Sequence, residues 1–276
     1  MKIGIIGMGV VGGTTAEVLG KKHEILPYDK YKMPYNSQKN LEDIAANADS
    51  VFICVPTPMK SSGAIDYSPI YNSIDSLSEE YKRDWLTLED KLIIIRSTAV
   101  SGTTDKLAEK YPFQFAFNPE FLKEKTAMQD MQTTDRIIIG ANNISAIDRV
   151  KQIYLPIFPD AKYITVNTKT AEMIKYAANV TLASQIAVAN EIHNICEAVG
   201  VNYNEVKDAI LHDSRIGNNI DVPGPDGDFG FGGKCFPKDL NALIYLARDK
   251  MYRPYLLEEV WRLNEKVRKN KDWESK

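Results

Sequence analysis

The sequence predicts an α/β fold: a doubly wound parallel sheet, followed by a long helix and an all-helical part. Two observations carry this prediction. Short runs rich in Ile and Val alternate with helix-like segments up to Val166, as in proteins with helices on both faces of a sheet. Residues 168–199 then run without Gly or Pro, which favours one uninterrupted helix.

Several of the strand candidates lack polar alternation, which is typical of strands buried on both faces of a parallel sheet. The candidates are Lys2–Ile6, Glu24–Tyr28, Ser50–Val55, Lys91–Arg96, Phe113–Phe117, Arg136–Ile139 and Tyr163–Val166.

The predicted helix over 168–199 ends before Gly200, a residue that suits a helix C-terminus. Such a helix spans about 45 Å at roughly 1.5 Å per residue, more than one small domain needs. We interpret it as a spine that joins two halves of the molecule or two subunits. Further helices are predicted at 204–211, 237–250 and 255–269. The predicted domains are 1–166, with the sheet, and 167–276, with the helices.

Composition excludes several classes of protein. Hydrophobic residues make up 44% and charged residues 26% of the chain, as in globular proteins. The net charge of −3 gives no sign of a nucleic-acid binder. No apolar run reaches membrane-spanning length, and Met1 leads directly into a strand-like run.

Cysteine and histidine spacing predicts neither a disulfide framework nor a metal site, because the residues are few and scattered. They are Cys54, Cys196, Cys235, His23, His193 and His212. The reducing cytoplasm is therefore the predicted compartment.

A dinucleotide-binding turn is predicted after the first strand, at Gly7-Met8-Gly9-Val10-Val11-Gly12. The first glycine permits the tight turn, the second lets the backbone approach a pyrophosphate, and the third lets helix and strand pack closely. Asp29 follows the second strand, where its carboxylate can accept hydrogen bonds from an adenosine ribose. The first domain is therefore predicted to be Rossmann-like and to bind NAD, with NADP as the alternative because Lys30 and Lys32 lie close by.

Polar residues also follow three later strands. In an open α/β sheet the carboxyl ends of the strands line the ligand crevice, so these groups predict a reaction centre facing the dinucleotide turn. The groups are Pro56-Thr57-Pro58, Ser97-Thr98 and Asn118-Pro119-Glu120.

The segment Phe229–Leu240 places a thiol, an ammonium and a carboxylate just after a glycine-rich loop. Pro237 suits the first turn of a helix, which would put Cys235 at a helix N-terminus. That position and nearby Lys238 favour a thiolate, and hence a nucleophile. The alternative is a buried structural cysteine.

Lys175 and Asn179 lie one turn apart on the predicted long helix. A lysine and an asparagine so placed can bind or polarise a substrate hydroxyl or a water molecule. The alternative is a solvated stripe on an amphipathic helix.

Together the glycine turn with Asp29, the Lys175-x-x-x-Asn179 helix and the Cys235 segment resemble the UDP-glucose/GDP-mannose dehydrogenase family. The resemblance covers nearly the whole chain in order. Further matching segments are Val55–Pro58, Ser97-Thr98, Asn118–Leu122, Asp135–Gly140, Ala171–Asn179, Asn190–Ile192, Ser214–Gly217 and Val222–Gly224.

The resemblance implies an NAD-dependent, four-electron oxidation of a nucleotide-sugar primary alcohol to a carboxylate. Cys235 would form a thiohemiacetal and then a thioester, while Lys175 and Asn179 would hold the reacting oxygen. Asp239 would act as a base or orient water, Glu120 would assist thioester hydrolysis, and Thr98 would order a water molecule.

The resemblance also implies binding residues. The cofactor set is Gly7, Gly9, Val10, Val11, Gly12, Asp29, Pro56, Thr57, Ser97, Thr98 and Glu124. The substrate set is Phe121, Leu122, Lys123, Lys175, Asn179, Arg215, Phe231, Gly232 and Gly233. Arg215 would reach the site of a neighbouring subunit, which implies a homodimer built around the long helix.

One departure concerns the substrate. Family members normally carry a third domain that grips the nucleotide, and the chain ends at Lys276, shortly after the point where that domain would begin. UDP-glucose is the first candidate, with GDP-mannose or a UDP-N-acetylhexosamine as alternatives. A β-hydroxyacid dehydrogenase, which needs no thiol, and a non-catalytic NAD-binding protein are the other hypotheses.

Overall fold

The computed structural model describes the backbone of residues 1–83 and 90–274. Seven strands are found: β1 (Lys2–Ile6), β2 (Glu24–Tyr28), β3 (Ser50–Ile53), β4 (Leu92–Ile95), β5 (Gln114–Phe117), β6 (Arg136–Gly140) and β7 (Lys162–Val166). The described helices are α1 (Val10–Leu19), α2 (Gln38–Asn47), α3 (Ser68–Arg83), α4 (Thr103–Lys110), α5 (Ala127–Gln132), α6 (Ile144–Tyr154), α7 (Thr168–Val199), α8 (Tyr203–Ile210), α9 (Phe236–Asp249) and α10 (Tyr255–Val267).

Contacts divide the chain into two compact units. The first unit contains residues 1–58 and 65–175, and the second contains 59–64 and 176–276. The division falls inside α7, which begins at Thr168 and ends at Val199 as the sequence predicts. The predicted domain boundary, after residue 166, coincides with the start of this helix.

The first unit is built on one sheet with the strand order β2-β1-β3-β4-β5-β6-β7. Neighbours from β2 to β5 are parallel, so the predicted α/β fold is confirmed. The strand order reverses between β1 and β3, and ligands of doubly wound folds bind at such a point.

One join departs from the predicted parallel arrangement. Strands β5 and β6 pair antiparallel, through Phe117 and Gly140. The connection between them carries the six-residue helix α5. Strands β6 and β7 are parallel to each other and run opposite to β1–β5.

The isoleucine-rich strands pack on both faces of the sheet. In β4, Leu92 and Ile94 belong to one apolar cluster, whereas Ile93 and Ile95 belong to the other. Successive side chains of a strand point to opposite faces, so an uninterrupted apolar run supplies two cores at once. This explains why the strands lack polar alternation.

The second unit contains α8 to α10 and two smaller apolar clusters. In one of them, Val180 and Ala183 of α7 lie with Leu240 and Ile244 of α9. The other surrounds Cys196 and Tyr203. Among the described residues, no helix is both long enough and apolar enough to cross a membrane.

Glu172, near the start of α7, anchors the beginning of α4. Its carboxylate accepts hydrogen bonds from the backbone N–H groups of Gly102 (2.6 Å) and Thr104 (2.7 Å) and from the Thr104 hydroxyl (2.6 Å). The residue is fully buried. Burial raises the Glu172 pKa to about 7, although the hydrogen bonds from Thr104 and Gly102 act in the opposite direction.

A raised carboxyl pKa makes the folded state bind protons more tightly than the unfolded state. The Glu172 contribution to the free energy of unfolding is therefore complete below a pH of about 4.5 and is lost as the pH rises towards about 7. We expect Glu172→Gln to abolish this fall in the free energy of unfolding. The measurement is the urea unfolding midpoint at several pH values between these two limits. The control is Glu17→Gln on α1, where Glu17 is exposed. Equal pH profiles for the two variants would contradict the prediction.

Candidate functional site

The glycine turn after β1 has the geometry of a dinucleotide cradle. Gly7 has a φ of 96°, and a Cβ there would lie 2.8 Å from the Cys54 carbonyl oxygen. A Cβ on Gly12 would overlap the Gly7 carbonyl oxygen. Gly9, which precedes α1, has nothing within 4 Å of a Cβ position. Gly7 and Gly12 thus serve close packing, and the space over Gly9 lets a phosphate approach the first N–H groups of α1.

Asp29 lies beside this turn. One carboxylate oxygen accepts a hydrogen bond from the Met8 N–H (2.7 Å), and the other accepts from the N–H groups of Tyr31 (2.9 Å) and Lys32 (3.0 Å). The Lys32 ammonium donates to the Met8 carbonyl oxygen (2.8 Å). Asp29, the residue predicted to bind the ribose, is therefore held against the glycine turn by backbone hydrogen bonds. The polar groups around the turn fit the adenosine half of NAD.

Strands β3 and β4 end at the same edge of the sheet as β1. The Ser97 hydroxyl donates to the carbonyl oxygens of Val55 (2.7 Å) and Ile53 (3.2 Å), which ties the ends of these two strands together. Thr57 is buried, Thr98 is half-buried, and Pro56 is exposed. The structure therefore brings these predicted cofactor residues to one edge, with the Ser97 hydroxyl used in a backbone link.

The Lys175 ammonium and the Glu120 carboxylate form a buried ion pair in the first unit. The ammonium donates to the Glu120 carbonyl oxygen (2.7 Å) and to its carboxylate (2.9 Å). Lys175 is 3% exposed and Glu120 is 8% exposed. The other Glu120 carboxylate oxygen accepts from the Leu122 N–H (2.6 Å). Two predicted catalytic residues are thus in direct contact.

The Glu120 pKa lies below its ordinary value. Burial acts to raise this pKa, but the Lys175 ammonium, the Leu122 N–H and the Arg96 guanidinium together hold it down. Glu120 is therefore ionised at neutral pH. An ionised carboxylate can accept a proton from water, as the predicted hydrolytic role requires.

Arg96 also belongs to this site, although none of the motifs in the sequence pointed to it. Its guanidinium is buried at the end of β4 and donates to the side-chain oxygen of Asn118 (2.6 Å) and to the Tyr154 hydroxyl (3.1 Å). A charged residue directly after four buried apolar residues is a sequence signal that could have identified it. Arg96 lines a cavity of about 210 Å³ together with the predicted substrate residues Phe121, Leu122 and Lys123.

In the second unit, Asn179 of α7 contacts the first turn of α9. The Asn179 amide donates to one carboxylate oxygen of Asp239 (2.6 Å), and the Lys238 ammonium bonds the other (2.5 Å). Asp239 is 1% exposed, and the adjacent Lys238 ammonium balances the charge of its carboxylate. These are two further predicted catalytic residues in direct contact.

Cys235 is the N-cap residue of α9, and Pro237 stands in the first turn, as the sequence predicts. The residue is exposed, whereas Cys54 and Cys196 are buried. The alternative of a buried structural cysteine is therefore wrong for Cys235. The Cys235 carbonyl oxygen accepts the Asp239 N–H (2.8 Å), so the thiol-bearing residue and Asp239 belong to the same first turn.

The remaining predicted residues lie in different settings. Phe231 is 3% exposed and packs in an apolar cluster, so its ring supports the loop. Glu124 lies on an exposed 3₁₀ turn. Arg215 is exposed, and its guanidinium pairs with Asp213 through three hydrogen bonds of 2.9, 3.1 and 2.5 Å.

Two family domains match this chain. The NAD-binding domain of the UDP-glucose/GDP-mannose dehydrogenase family matches residues 29–158, and the central domain of the same family matches residues 169–266. The first of these matches is to an NAD-binding domain, so the cofactor of this unit is NAD.

Curated relatives and solved structures give the same result. UDP-glucose 6-dehydrogenase of Rickettsia bellii is 37% identical over 88% of this chain and 53% of its own length. TuaD, a UDP-glucose 6-dehydrogenase of Bacillus subtilis, is 32% identical over 97% of this chain and 63% of its own length. The first of the curated relatives is matched over 49% of its length, so the chain spans about half of it.

A UDP-glucose dehydrogenase structure from Pyrobaculum islandicum superposes with a TM-score of 0.82 at 27% identity. It is matched over 68% of its length and covers 96% of this chain. A ternary complex of GDP-mannose dehydrogenase from Pseudomonas aeruginosa gives a TM-score of 0.68 at 29% identity, with 97% of this chain and 69% of that one covered.

The open space over Gly9 leads to a prediction about cofactor affinity. A methyl group there meets nothing in the protein but would stand where a pyrophosphate approaches. We expect Gly9→Ala to weaken NADH binding by about tenfold or more, or roughly 1.4 kcal/mol, with little change in thermal stability. The measurement is fluorescence titration with NADH. Gly13→Ala is the control, since its Cβ would also be uncrowded, with the Met8 carbonyl oxygen at 3.9 Å. Equal affinity of the two variants would refute the assignment.

The buried ion pair leads to a prediction about stability. Glu120→Gln leaves the buried Lys175 without its carboxylate, so we expect a loss of about 3–5 kcal/mol at pH 7. The double variant Glu120→Gln/Lys175→Met should recover part of that loss. Because the Glu120 pKa is lowered in the folded state, its contribution is present above the unfolded pKa and disappears as the pH falls through the folded pKa.

The measurement is urea unfolding followed by circular dichroism. Arg262→Met serves as the control, because Arg262 pairs with Glu259 on an exposed helix surface and such pairs contribute about 0–1 kcal/mol. If Glu120→Gln lowers the free energy of unfolding by no more than this control does, the buried ion pair does not stabilise the fold.

Proposed function

Because the chain belongs to the UDP-glucose/GDP-mannose dehydrogenase family, we propose that it serves the NAD-dependent oxidation of a nucleotide-sugar primary alcohol to the uronic acid. The observation that carries the proposal is the exposed Cys235 at the N-cap of α9, in the same turn as the Asp239 that binds Asn179. A single oxidation of an alcohol needs no thiol. A nucleophilic thiol allows an aldehyde to be held covalently and oxidised again.

Gly9 and Asp29 would hold NAD, and two NAD molecules in turn would each accept one hydride, one for each oxidation. After the first oxidation, the Cys235 sulfur adds to the aldehyde carbon, and the carbonyl oxygen takes a proton to give a thiohemiacetal. Loss of this proton and a second hydride leaves a thioester. Water then attacks the thioester carbon, the carbon–sulfur bond breaks, and the thiol and the carboxylate are released.

Contacts support the roles proposed for Lys175, Asn179, Glu120 and Asp239, and Thr98 keeps the role predicted from the resemblance. The Lys175 ammonium and the Asn179 amide are donors suited to stabilise a negative oxygen. Glu120 is ionised beside Lys175 and can take a proton from the attacking water. Asp239 orients water or accepts a proton, and Thr98 helps to order the water.

UDP-glucose is the proposed substrate, because the curated relatives reported above are UDP-glucose 6-dehydrogenases. Phe121, Leu122 and Lys123 are proposed to contact it, and these residues line the cavity beside Arg96. Gly232 and Gly233 remain proposed contacts on the loop before Cys235. The predicted compartment remains the cytoplasm.

A homodimer is proposed as the assembly. In the second half of α7, Val188, Ile195 and Val199 are each more than half exposed. Their spacing of seven and four residues places them on one face of the helix. A second copy of the helix would cover this apolar stripe, and we propose that Arg215 then reaches the neighbouring site.

The test measures NADH formation by absorbance with UDP-glucose, GDP-mannose and UDP-N-acetylhexosamines. We expect two NADH per sugar with UDP-glucose. Cys235→Ala should lose uronate formation and retain NADH binding, whereas Cys196→Ala, which alters a buried thiol, should retain both. One NADH per sugar, or undiminished uronate formation by Cys235→Ala, would refute the thioester route.

A further inference from the structure

The glycine-rich loop before Cys235 is held by the end of the chain. We call residues 264–273 the C-terminal clamp. The loop from Asp226 to Gly233 makes hydrogen bonds with clamp residues along most of its length. Both segments belong to the second unit. The loop that the sequence marks as a ligand loop is thus also a binding surface for the chain itself.

Asn264, at the start of the clamp, binds both peptide groups of Phe231. Its side-chain oxygen accepts the Phe231 N–H (2.7 Å), and its amide donates to the Phe231 carbonyl oxygen (3.0 Å). Asn264 is 1% exposed. A Cβ on Gly230 would overlap the Asn264 side-chain oxygen, so the glycine is needed for this approach.

Arg268 is the centre of the clamp. Its side chain is 1% exposed, and its guanidinium lies 2.6, 3.8 and 3.6 Å from the carboxylates of Asp226, Asp228 and Asp272. The guanidinium also covers Gly232, where a Cβ would overlap it. A planar fork with several donors suits such a site better than an ammonium.

The clamp continues to the residues next to Cys235. The Asp272 carboxylate accepts the Gly233 N–H with both oxygens, at 3.0 and 2.9 Å. Trp273 then packs edge-on against Trp261 of α10, with ring centroids 5.2 Å apart. The hydrogen bond to Gly233 lies two residues before the N-cap thiol, so the clamp holds the chain almost up to the nucleophile.

We propose that Arg268 is a positioning residue for Cys235, acting through the loop at Gly232 and Gly233. This role rests on the proposed function for the chemistry of Cys235. The glycines of the loop then have a second purpose, because they admit the Asn264 and Arg268 side chains. Without the clamp, a loop so rich in glycine would sample many conformations, and the sulfur would be aligned only part of the time.

The test compares Arg268→Met with Arg268→Lys and with Arg262→Met, which alters an exposed arginine on α10, the helix that ends just before Arg268. Hydrogen exchange of loop amides and alkylation of Cys235 by iodoacetamide at pH 7 are measured on the full chain. Both readouts are independent of dehydrogenase activity, and Cys235→Ala gives the background for alkylation. Because the lost bonds involve a charged group, we expect loop exchange to rise about tenfold in Arg268→Met.

We expect Cys235 alkylation to slow by about threefold or more in Arg268→Met, since the thiolate loses its alignment with the helix N-terminus. Arg268→Lys should recover part of the difference, and Arg262→Met should match the unchanged protein. With a sugar nucleotide that is turned over, kcat should fall while NADH affinity stays the same. A lack of turnover with every sugar nucleotide would count against the proposed function and leave the exchange and alkylation results valid.

Unchanged loop exchange and alkylation in folded Arg268→Met would overturn the proposal. So would a rise in exchange of equal size in the β1 and β4 amides, because that result would show a general loss of stability. If Arg268→Met does not fold, Asp272→Asn decides the matter. This substitution weakens the hydrogen bond that the Gly233 N–H donates to the carboxylate. It should raise hydrogen exchange at Gly233 and slow the alkylation of Cys235, as Arg268→Met is expected to do. Its failure to do so would also overturn the proposal.

Discussion

A buried ammonium requires negative charge at short range, and the pairing of Lys175 with Glu120 meets this requirement in the first unit. The pair joins the segment after β5 to α7 through both the carboxylate and the carbonyl oxygen of Glu120. The Leu122 N–H and the field of Arg96 keep the carboxylate ionised. The elements that carry the candidate site are therefore fixed by the same charges that the proposed chemistry uses.

Local patterns in the sequence were sufficient to predict most of the fold. The short apolar runs of β1 and β2 are bounded by polar or turn residues, and α7 contains no helix breaker, so all three elements begin and end where predicted. The glycine turn with Asp29 and the N-cap place of Cys235 were also predictable, because each depends on a few neighbouring residues. The antiparallel join of β5 and β6 was not, since no local pattern records the path that the connecting segment takes across the sheet.

Contacts between distant residues could not be predicted in the same way. Arg96 meets Asn118 and Tyr154 across 22 and 58 residues, and Asn264 meets Phe231 across 33. No local period or motif records such pairings. Gly232 and Gly233 are predicted substrate contacts, and the structure places Gly232 against the Arg268 side chain. A glycine in a sequence shows that something approaches the backbone closely, but it does not show whether that neighbour is a ligand or a side chain.

The backbone contacts of Lys32 have a consequence for the choice between the two nicotinamide coenzymes. Its ammonium is engaged with the Met8 carbonyl oxygen, and the Lys30 ammonium lies over the Tyr31 ring, 5.7 Å from its centre. A ribose bearing an additional phosphate would place a dianion against the Asp29 carboxylate while both nearby cations are occupied elsewhere. Repulsion by Asp29 would thus disfavour NADP, because the two nearby lysine side chains are bound elsewhere. Counting the charges near the ribose would not reveal this preference.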